Sequence, residues 1–247
     1  MARPLQRITV TPAQIQGQQL QLTADQVHYL RRVLRLSATD QFIAQDGQGQ
    51  QWQAELLPQS DGATLLLPLA AGPQSYPVTL AMALPKQGFD DVVRQVTELG
   101  VTTIQPLISD RTLLLPSEKK LARWQRIAQE AAEQCERTQI PNIETPNQYV
   151  DWVTRESTGK LTPQAYICVA RHQGNPFLSC LERDTTTLSQ RSIIIAIGPE
   201  GGWTPAEISV ARAQHYTPVS LGSAILRATT AAVAATSIIS MKLHILP

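Results

Sequence analysis

Two short segments near the C-terminus combine residue types that can hold a ligand. Residues 198–203 read GPEGGW and directly follow the apolar run 193–197. Residues 222–227 read GSAILR and follow Leu221. Glycine lets the backbone approach a ligand closely and present its N–H groups. If the runs before these segments are parallel strands, both segments lie at the carboxyl edge of one sheet, where such sheets bind ligands.

The composition of these segments narrows the class of ligand. A phosphate-binding loop would have the pattern GxGxxG or GxxxxGK[ST], and neither is present. Glu200 would in addition repel a phosphate. A carboxylate beside open backbone groups suits ribose hydroxyls, an amino group or a cationic centre. The alternative interpretation of residues 198–203 is an ordinary tight turn between a strand and a helix.

Strands and helices alternate over the C-terminal part of the chain. Apolar runs at 78–84, 101–108, 165–170 and 192–197 predict strands, and the last two are apolar enough to be buried on both faces. Apolar residues recur at helical spacing between the first runs, and residues 204–207 (TPAE) have the pattern of a capping box. This alternation predicts an α/β domain with a mainly parallel sheet.

The N-terminal part has the shorter rhythm of a small β-barrel with one helix. Residues 70–77 are rich in glycine and proline and are the best linker candidate. We therefore predict a barrel domain over residues 1–72 and an α/β domain over residues 73–247. Short strands are predicted at 6–10, 19–22, 40–45, 51–57 and 63–69. The helix begins at a capping box, residues 23–26, and its apolar side carries Val27, Leu30, Val33 and Leu34.

Basic residues cluster on that N-terminal helix. Over the whole chain 21 basic residues oppose 20 acidic ones, so any affinity for nucleic acid must come from a local patch. The cluster favours contacts to RNA phosphates, and the alternative is a solvated helix face. The predicted RNA-binding residues are Arg7, His28, Arg31, Arg32 and Arg35.

Other functional classes find no support in the sequence. The three cysteines and four histidines show no CxxC, HxxxH or HExxH spacing, so we expect reduced thiols and no metal. The N-terminus lacks the apolar core of a signal peptide, and no apolar run reaches the length of a membrane span. These features predict a cytoplasmic protein without a membrane partner.

The two glycine-containing segments resemble the signatures of a known family. Residues 197–208 (IGPEGGWTPAEI) and 221–231 (LGSAILRATTA) are similar to those of the RsmE family, the uridine-N3 methyltransferases of 16S ribosomal RNA. Residues 97–101 (TELGV), 133–137 (EQCER) and 28–35 (HYLRRVLR) also resemble family segments. The resemblance spans nearly the whole chain.

The resemblance implies a fold, a cofactor and partners. It implies a PUA-like N-terminal barrel and a SPOUT-type domain that has a parallel sheet, a C-terminal deep trefoil knot and S-adenosylmethionine bound in the knot. It also implies a homodimer that acts on 16S ribosomal RNA in the decoding region of the small ribosomal subunit. Thr229 departs from the family, which usually has glutamate there. The residues expected to bind the cofactor are Ala170, Gly198, Pro199, Glu200, Gly201, Gly202, Leu221, Gly222, Ser223 and Leu226.

Within this family the reaction suggests one catalytic candidate. Loss of the N3 proton places negative charge on the uracil oxygens, and a fixed cation such as Arg227 would stabilise it. Arg227 could instead contact a phosphate or a dimer interface. Glu200 could be a base or a cofactor contact, but we expect it mainly to fix its loop through backbone hydrogen bonds. The alternatives for the whole protein are a methyltransferase acting on another RNA, a non-catalytic RNA-binding protein, and a nucleotide-binding enzyme of another class.

The last predicted helix, residues 229–243, is apolar on more than one face. It has four alanines at 231, 232, 234 and 235, and no charge between Arg227 and Lys242. One sheet can bury only one side of a helix, so a second subunit is expected to cover the other. The alternative is packing within its own chain.

Overall fold

The computed structural model describes residues 5–58, 61–72, 76–113, 116–156, 163–170, 174–184 and 192–245. They form two compact units. The N-terminal unit contains the chain up to residue 74 together with residues 129–140, and the C-terminal unit contains residues 75–128 and 141 onward. The predicted linker, residues 70–77, falls partly outside the described residues.

The N-terminal unit is built on a six-stranded sheet. The five predicted strands are confirmed to within one or two residues, and the two-residue strand β2 was not predicted. The strand order is β1-β4-β5-β6-β3-β2, with β1 parallel to β4 and the other pairs antiparallel. Phe42, Leu20 and Leu56 are fully buried in its core. The strands are β1 Arg7–Thr9, β2 Ile15–Gln16, β3 Gln19–Gln21, β4 Gln41–Gln45, β5 Gln51–Leu56 and β6 Gly62–Pro68.

The helix of this unit changes its geometry halfway. Helix α1, Ala24–His28, begins at the predicted capping box, in which Gln26 accepts from the Thr23 N–H at 2.8 Å. A wider turn follows over Tyr29–Val33, closed by the Leu34 N–H donating to the Tyr29 carbonyl at 2.9 Å. This i to i+5 turn alters the angular spacing of the side chains. As a result Val33 is 57% exposed, and its predicted place on the apolar side is wrong.

The C-terminal unit is an α/β domain with a wholly parallel sheet among its described strands. Their order is β10-β8-β7-β13-β11-β14-β12, and β9 pairs with β8. The strands are β7 Val78–Ala83, β8 Thr103–Ile108, β9 Asn142–Ile143, β10 Asn147–Gln148, β11 Gln164–Cys168, β12 Asn175–Pro176, β13 Ile193–Ile197 and β14 Thr217–Ser220. The helices are α2 Phe89–Glu98, α3 Glu118–Gln134, α4 Tyr149–Glu156, α5 Phe177–Arg183, α6 Pro205–Ala213 and α7 Ala228–Ile245. Helix α3 is divided between the units, because its residues from 129 onward belong to the N-terminal unit.

This architecture confirms the predicted α/β class and places the two glycine-containing segments, residues 198–203 and 222–227, at the ends of strands. All five residues of β13 are buried, as expected for a central strand covered on both faces. Strands β13 and β14 flank β11, and each ends where one of the glycine segments begins. In the part of the chain described, no helix is both long and apolar enough to cross a membrane.

Candidate functional site

A cavity of about 350 Å³ opens at the carboxyl ends of β11, β13 and β14. Its size falls in the range typical of small-molecule sites. Nine of the ten predicted cofactor residues line it, and Ser223 does not. The lining residues that sequence reasoning assigned are Ala170, Gly198, Pro199, Glu200, Gly201, Gly202, Leu221, Gly222 and Leu226. The structure therefore brings both glycine segments to one site.

Glycine is required for specific geometric reasons at two positions of the wall. A Cβ atom on Gly198 would lie 3.2 Å from the Trp203 indole ring, which is closer than a Cβ normally packs, so the ring would have to shift to admit a side chain. Gly222 has a φ of +135°, a backbone conformation that residues with a Cβ rarely adopt. The Trp203 indole N–H is buried and has no hydrogen-bond partner among the described residues. It is a donor that a ligand in the cavity could satisfy.

Hydrogen bonds hold the first loop, residues 198–204, in place. A carboxylate oxygen of Glu200 accepts from the backbone N–H of Lys86 at 2.8 Å. This contact agrees with the loop-fixing role expected for Glu200. The Gly202 N–H donates to the Pro199 carbonyl at 2.8 Å and closes a tight turn.

Glu207 fixes the end of the same loop and joins it to the segment after β8. The predicted capping box is present, because Glu207 accepts from the Thr204 N–H at 2.7 Å and its own N–H donates to the Thr204 hydroxyl at 3.2 Å. The other carboxylate oxygen accepts from the Asp110 N–H at 3.0 Å. Glu207 is only 2% exposed, so these bonds replace the hydration that burial removes from the carboxylate.

Arg111 is a functional candidate that sequence reasoning missed. It follows β8, lines the cavity, and donates from its guanidinium to the Gly201 carbonyl. No motif marks it, and the Arg111–Gly201 contact joins residues 90 positions apart. The signal available in the sequence was its place just after a buried strand of the same parallel sheet.

Two other side chains near the site are held uncharged. Burial raises the pKa of the Cys168 thiol, which lines the cavity, so it is protonated at neutral pH and a poor nucleophile. Burial, and then the Glu207 carboxylate, raise the pKa of the Tyr149 phenol. The phenol donates to the Glu207 carbonyl at 3.0 Å and supports the start of α6.

Arg227, the predicted catalytic cation, is not among the residues that line the cavity. It is exposed and lies between Leu226 and Ala228, which do line it. Thr229 lies within the first turn of α7.

The predicted RNA-binding residues of the N-terminal unit differ in their contacts within the chain and in their exposure to solvent. Arg7 forms an ion pair with Glu136 at 3.0 Å, and its side chain is only 16% exposed. Arg31 donates to the Leu57 carbonyl at 2.7 Å. His28, Arg32 and Arg35 are exposed. Of the five predicted residues, these three therefore have the side chains most open to solvent. Among the described residues there is no group of three or more potential metal ligands.

Comparison with known proteins shows extended similarity. Residues 72–240 match the RNA methyltransferase domain family, and residues 22–65 match the RNA methyltransferase PUA domain family. The chain is 46% identical to ribosomal RNA small subunit methyltransferase E of a Synechocystis species, over 91% of this chain and 74% of that protein.

Two solved structures resemble the whole chain. One is ribosomal RNA small subunit methyltransferase E from Neisseria gonorrhoeae bound to S-adenosyl methionine. It has a TM-score of 0.84 and 27% identity, and the similarity covers 96% of this chain and 98% of that one. The other is a methyltransferase from Legionella pneumophila in complex with the same cofactor, with a TM-score of 0.82, 27% identity, and coverage of 97% and 98%.

Proposed function

Because the chain belongs to the RsmE family of ribosomal RNA small subunit methyltransferases, we propose that it methylates N3 of a uridine in 16S ribosomal RNA. The methyl donor is S-adenosylmethionine, and the target lies in the decoding region of the small ribosomal subunit. The observation that carries the proposal is the cavity that both glycine segments form together, with an unpaired indole donor in its wall. Solved relatives that hold this cofactor support it.

The chain's own groups account for binding and alignment. S-adenosylmethionine supplies an activated methyl group on a sulfonium centre. Gly198, Gly202 and Gly222 allow backbone groups close to the ligand, and Trp203 closes the wall behind Gly198. Alignment of an acceptor nitrogen with the methyl group can lower the barrier by about 7–11 kcal/mol. The target base must leave any stack to reach the cavity.

The test of this function uses cofactor binding and methyl transfer together. We expect S-adenosylmethionine to bind in isothermal titration and ATP not to bind. We expect methyl transfer to 16S ribosomal RNA or to small subunits, with N3-methyluridine as the product. Transfer only to another RNA would redirect the substrate assignment. Cofactor binding without transfer to any RNA would favour a non-catalytic RNA-binding protein.

Arg227→Ala is expected to lower kcat by about 10- to 100-fold and to leave the Kd for S-adenosylmethionine nearly unchanged. The reason is that charge on the uracil oxygens develops only in the transition state, and Arg227 does not itself line the cavity, although its neighbours Leu226 and Ala228 do. Single-turnover methylation and titration calorimetry measure the two quantities. A normal rate would remove Arg227 from the mechanism.

Arg32 and Arg35 are proposed to bind RNA phosphates. Replacing both with glutamine should weaken RNA binding and reduce the slope of log K against log salt by about 0.7–0.9 for each phosphate that is no longer neutralised. Arg7→Gln is the control, because Arg7 is already paired with Glu136 and should change the slope less. Equal slopes for the wild type and the double variant would assign Arg32 and Arg35 to a solvated surface.

The knot, the homodimer and a cytoplasmic location complete the proposal. Family membership supports the knot. In helix α7, Ala232, Ala235 and Ile239 are buried within the chain, whereas Met241 is 69% exposed. A second subunit would cover this outer side of the helix. Sedimentation equilibrium at low micromolar concentration should give twice the chain mass, and a stable, active monomer would contradict the dimer.

A further inference from the structure

Charge is distributed unevenly over the walls of the cavity. Among the described residues that line it, Arg111 is the only basic one and Glu200 is the only acidic one. Both belong to the same part of the wall, because the Arg111 guanidinium donates to the carbonyl of Gly201, the residue that follows Glu200. The remaining wall consists of glycines, apolar side chains, the Trp203 indole, Ser220 and the protonated Cys168.

Both charged groups have hydrogen-bonding capacity left for a ligand. A guanidinium has five N–H donors, and the Gly201 carbonyl takes one of those of Arg111. One carboxylate oxygen of Glu200 accepts from the Lys86 N–H, which leaves the second oxygen available. Both residues are exposed, so their side chains are open to solvent or to a ligand.

We propose that Arg111 and Glu200 form the subsite for the zwitterionic amino-acid end of the cofactor. The guanidinium binds the α-carboxylate, and Glu200 accepts from the α-ammonium group. This assignment rests on the proposed function, which names S-adenosylmethionine as the ligand. A neighbouring cation and anion in an otherwise uncharged cavity complement a zwitterion, whereas a phosphate would meet the repulsion of Glu200. The planar guanidinium also matches a carboxylate through paired N–H donors.

The chemistry of this subsite can be tested with three ligands that differ only at that end. S-adenosylhomocysteine has both charged groups, its decarboxylated analogue keeps only the ammonium group, and 5′-methylthioadenosine has neither. In titration calorimetry, Arg111→Gln should lower the affinity for S-adenosylhomocysteine by about 10- to 100-fold. The affinities for the other two ligands should stay within about twofold of the wild-type values. Glu200→Gln should lower the affinity for the two ligands that carry the ammonium group and leave the affinity for 5′-methylthioadenosine unchanged.

The controls separate a ligand contact from a structural role. Arg212→Gln changes an exposed arginine of α6 that does not line the cavity, and it should alter none of the three affinities. If Arg111→Gln fails to fold, Arg111→Lys is measured instead, and it should lose affinity only for S-adenosylhomocysteine. Equal weakening of all three ligands, or of none, would overturn the subsite. Failure of the wild-type protein to bind S-adenosylhomocysteine would instead reject the proposed function itself.

Discussion

Replacing Gly222 with valine is expected to reduce the affinity for S-adenosylmethionine below detection while the chain remains folded. The residue has a φ of +135° and lines the cavity, so a branched side chain both strains the backbone and intrudes on the ligand. A valine at this φ strains the backbone by about 1–3 kcal/mol. A local shift of the loop around residue 222 relieves this strain, so we expect the chain to stay folded. Apart from the two adjacent residues, no described residue has an atom within 4 Å of the added Cβ, so the core is not disrupted. Titration calorimetry and a thermal melt measure the two effects.

Gly100 provides a matched control for this substitution. It too has a positive φ, +95°, with no described neighbour within 4 Å of an added Cβ, but it follows α2 and does not line the cavity. Gly100→Val should therefore lower the melting temperature by a similar amount and leave cofactor affinity intact. Normal binding by Gly222→Val would place the cofactor elsewhere.

Glu207→Ala is expected to lower the free energy of unfolding by about 3–5 kcal/mol and to weaken cofactor binding. The carboxylate is buried and accepts from the N–H groups of Thr204 and Asp110, so its removal leaves two donors without their acceptor. The loop of residues 198–204 would then lose one of its attachments to the segment after β8, while the hydrogen bond from Arg111 to the Gly201 carbonyl remains. Urea denaturation followed by tryptophan fluorescence measures the stability, and calorimetry measures the affinity.

Two further variants test whether the hydrogen bonds of the Glu207 carboxylate cause the expected loss of stability. Glu207→Gln keeps one carbonyl oxygen and should cost about half as much as the alanine variant. Glu98→Ala removes an exposed carboxylate from the end of α2 and should change stability by less than about 0.5 kcal/mol. A cost below about 1 kcal/mol for Glu207→Ala would show that water replaces the carboxylate readily.

Local patterns in the sequence predicted the elements well. The capping boxes at Thr23 and Thr204 are both present, because each depends only on residues three positions apart. The buried strands of the parallel sheet were also predictable, since their apolar runs are continuous. Both glycine segments were placed correctly at strand ends, so most of the cavity wall followed from the sequence.

What the sequence did not predict depends on geometry that is not local. Arg111 reaches the cavity only because β8 is a strand of the same sheet as β13, and Asp110 meets Glu207 for the same reason. The exposure of Val33 results from one wide helical turn, which ordinary helical spacing cannot anticipate. Helix α4 was missed because it is short, although its buried Tyr149, Trp152 and Val153 have helical spacing.

The N-terminal unit is made of two segments that are far apart in the sequence, and this determines the order in which its contacts can form during synthesis. Strand β1 is hydrogen-bonded to the second segment of this unit, residues 129–140, since the Thr9 N–H donates to the Glu133 carboxylate at 2.7 Å. The Ile140 N–H donates to the Gly47 carbonyl at 2.9 Å in the same way. During synthesis at about 5–20 residues per second, the first sheet can therefore form several seconds before its last contacts become available. Until then the Thr9 N–H and the Gly47 carbonyl lack these two partners.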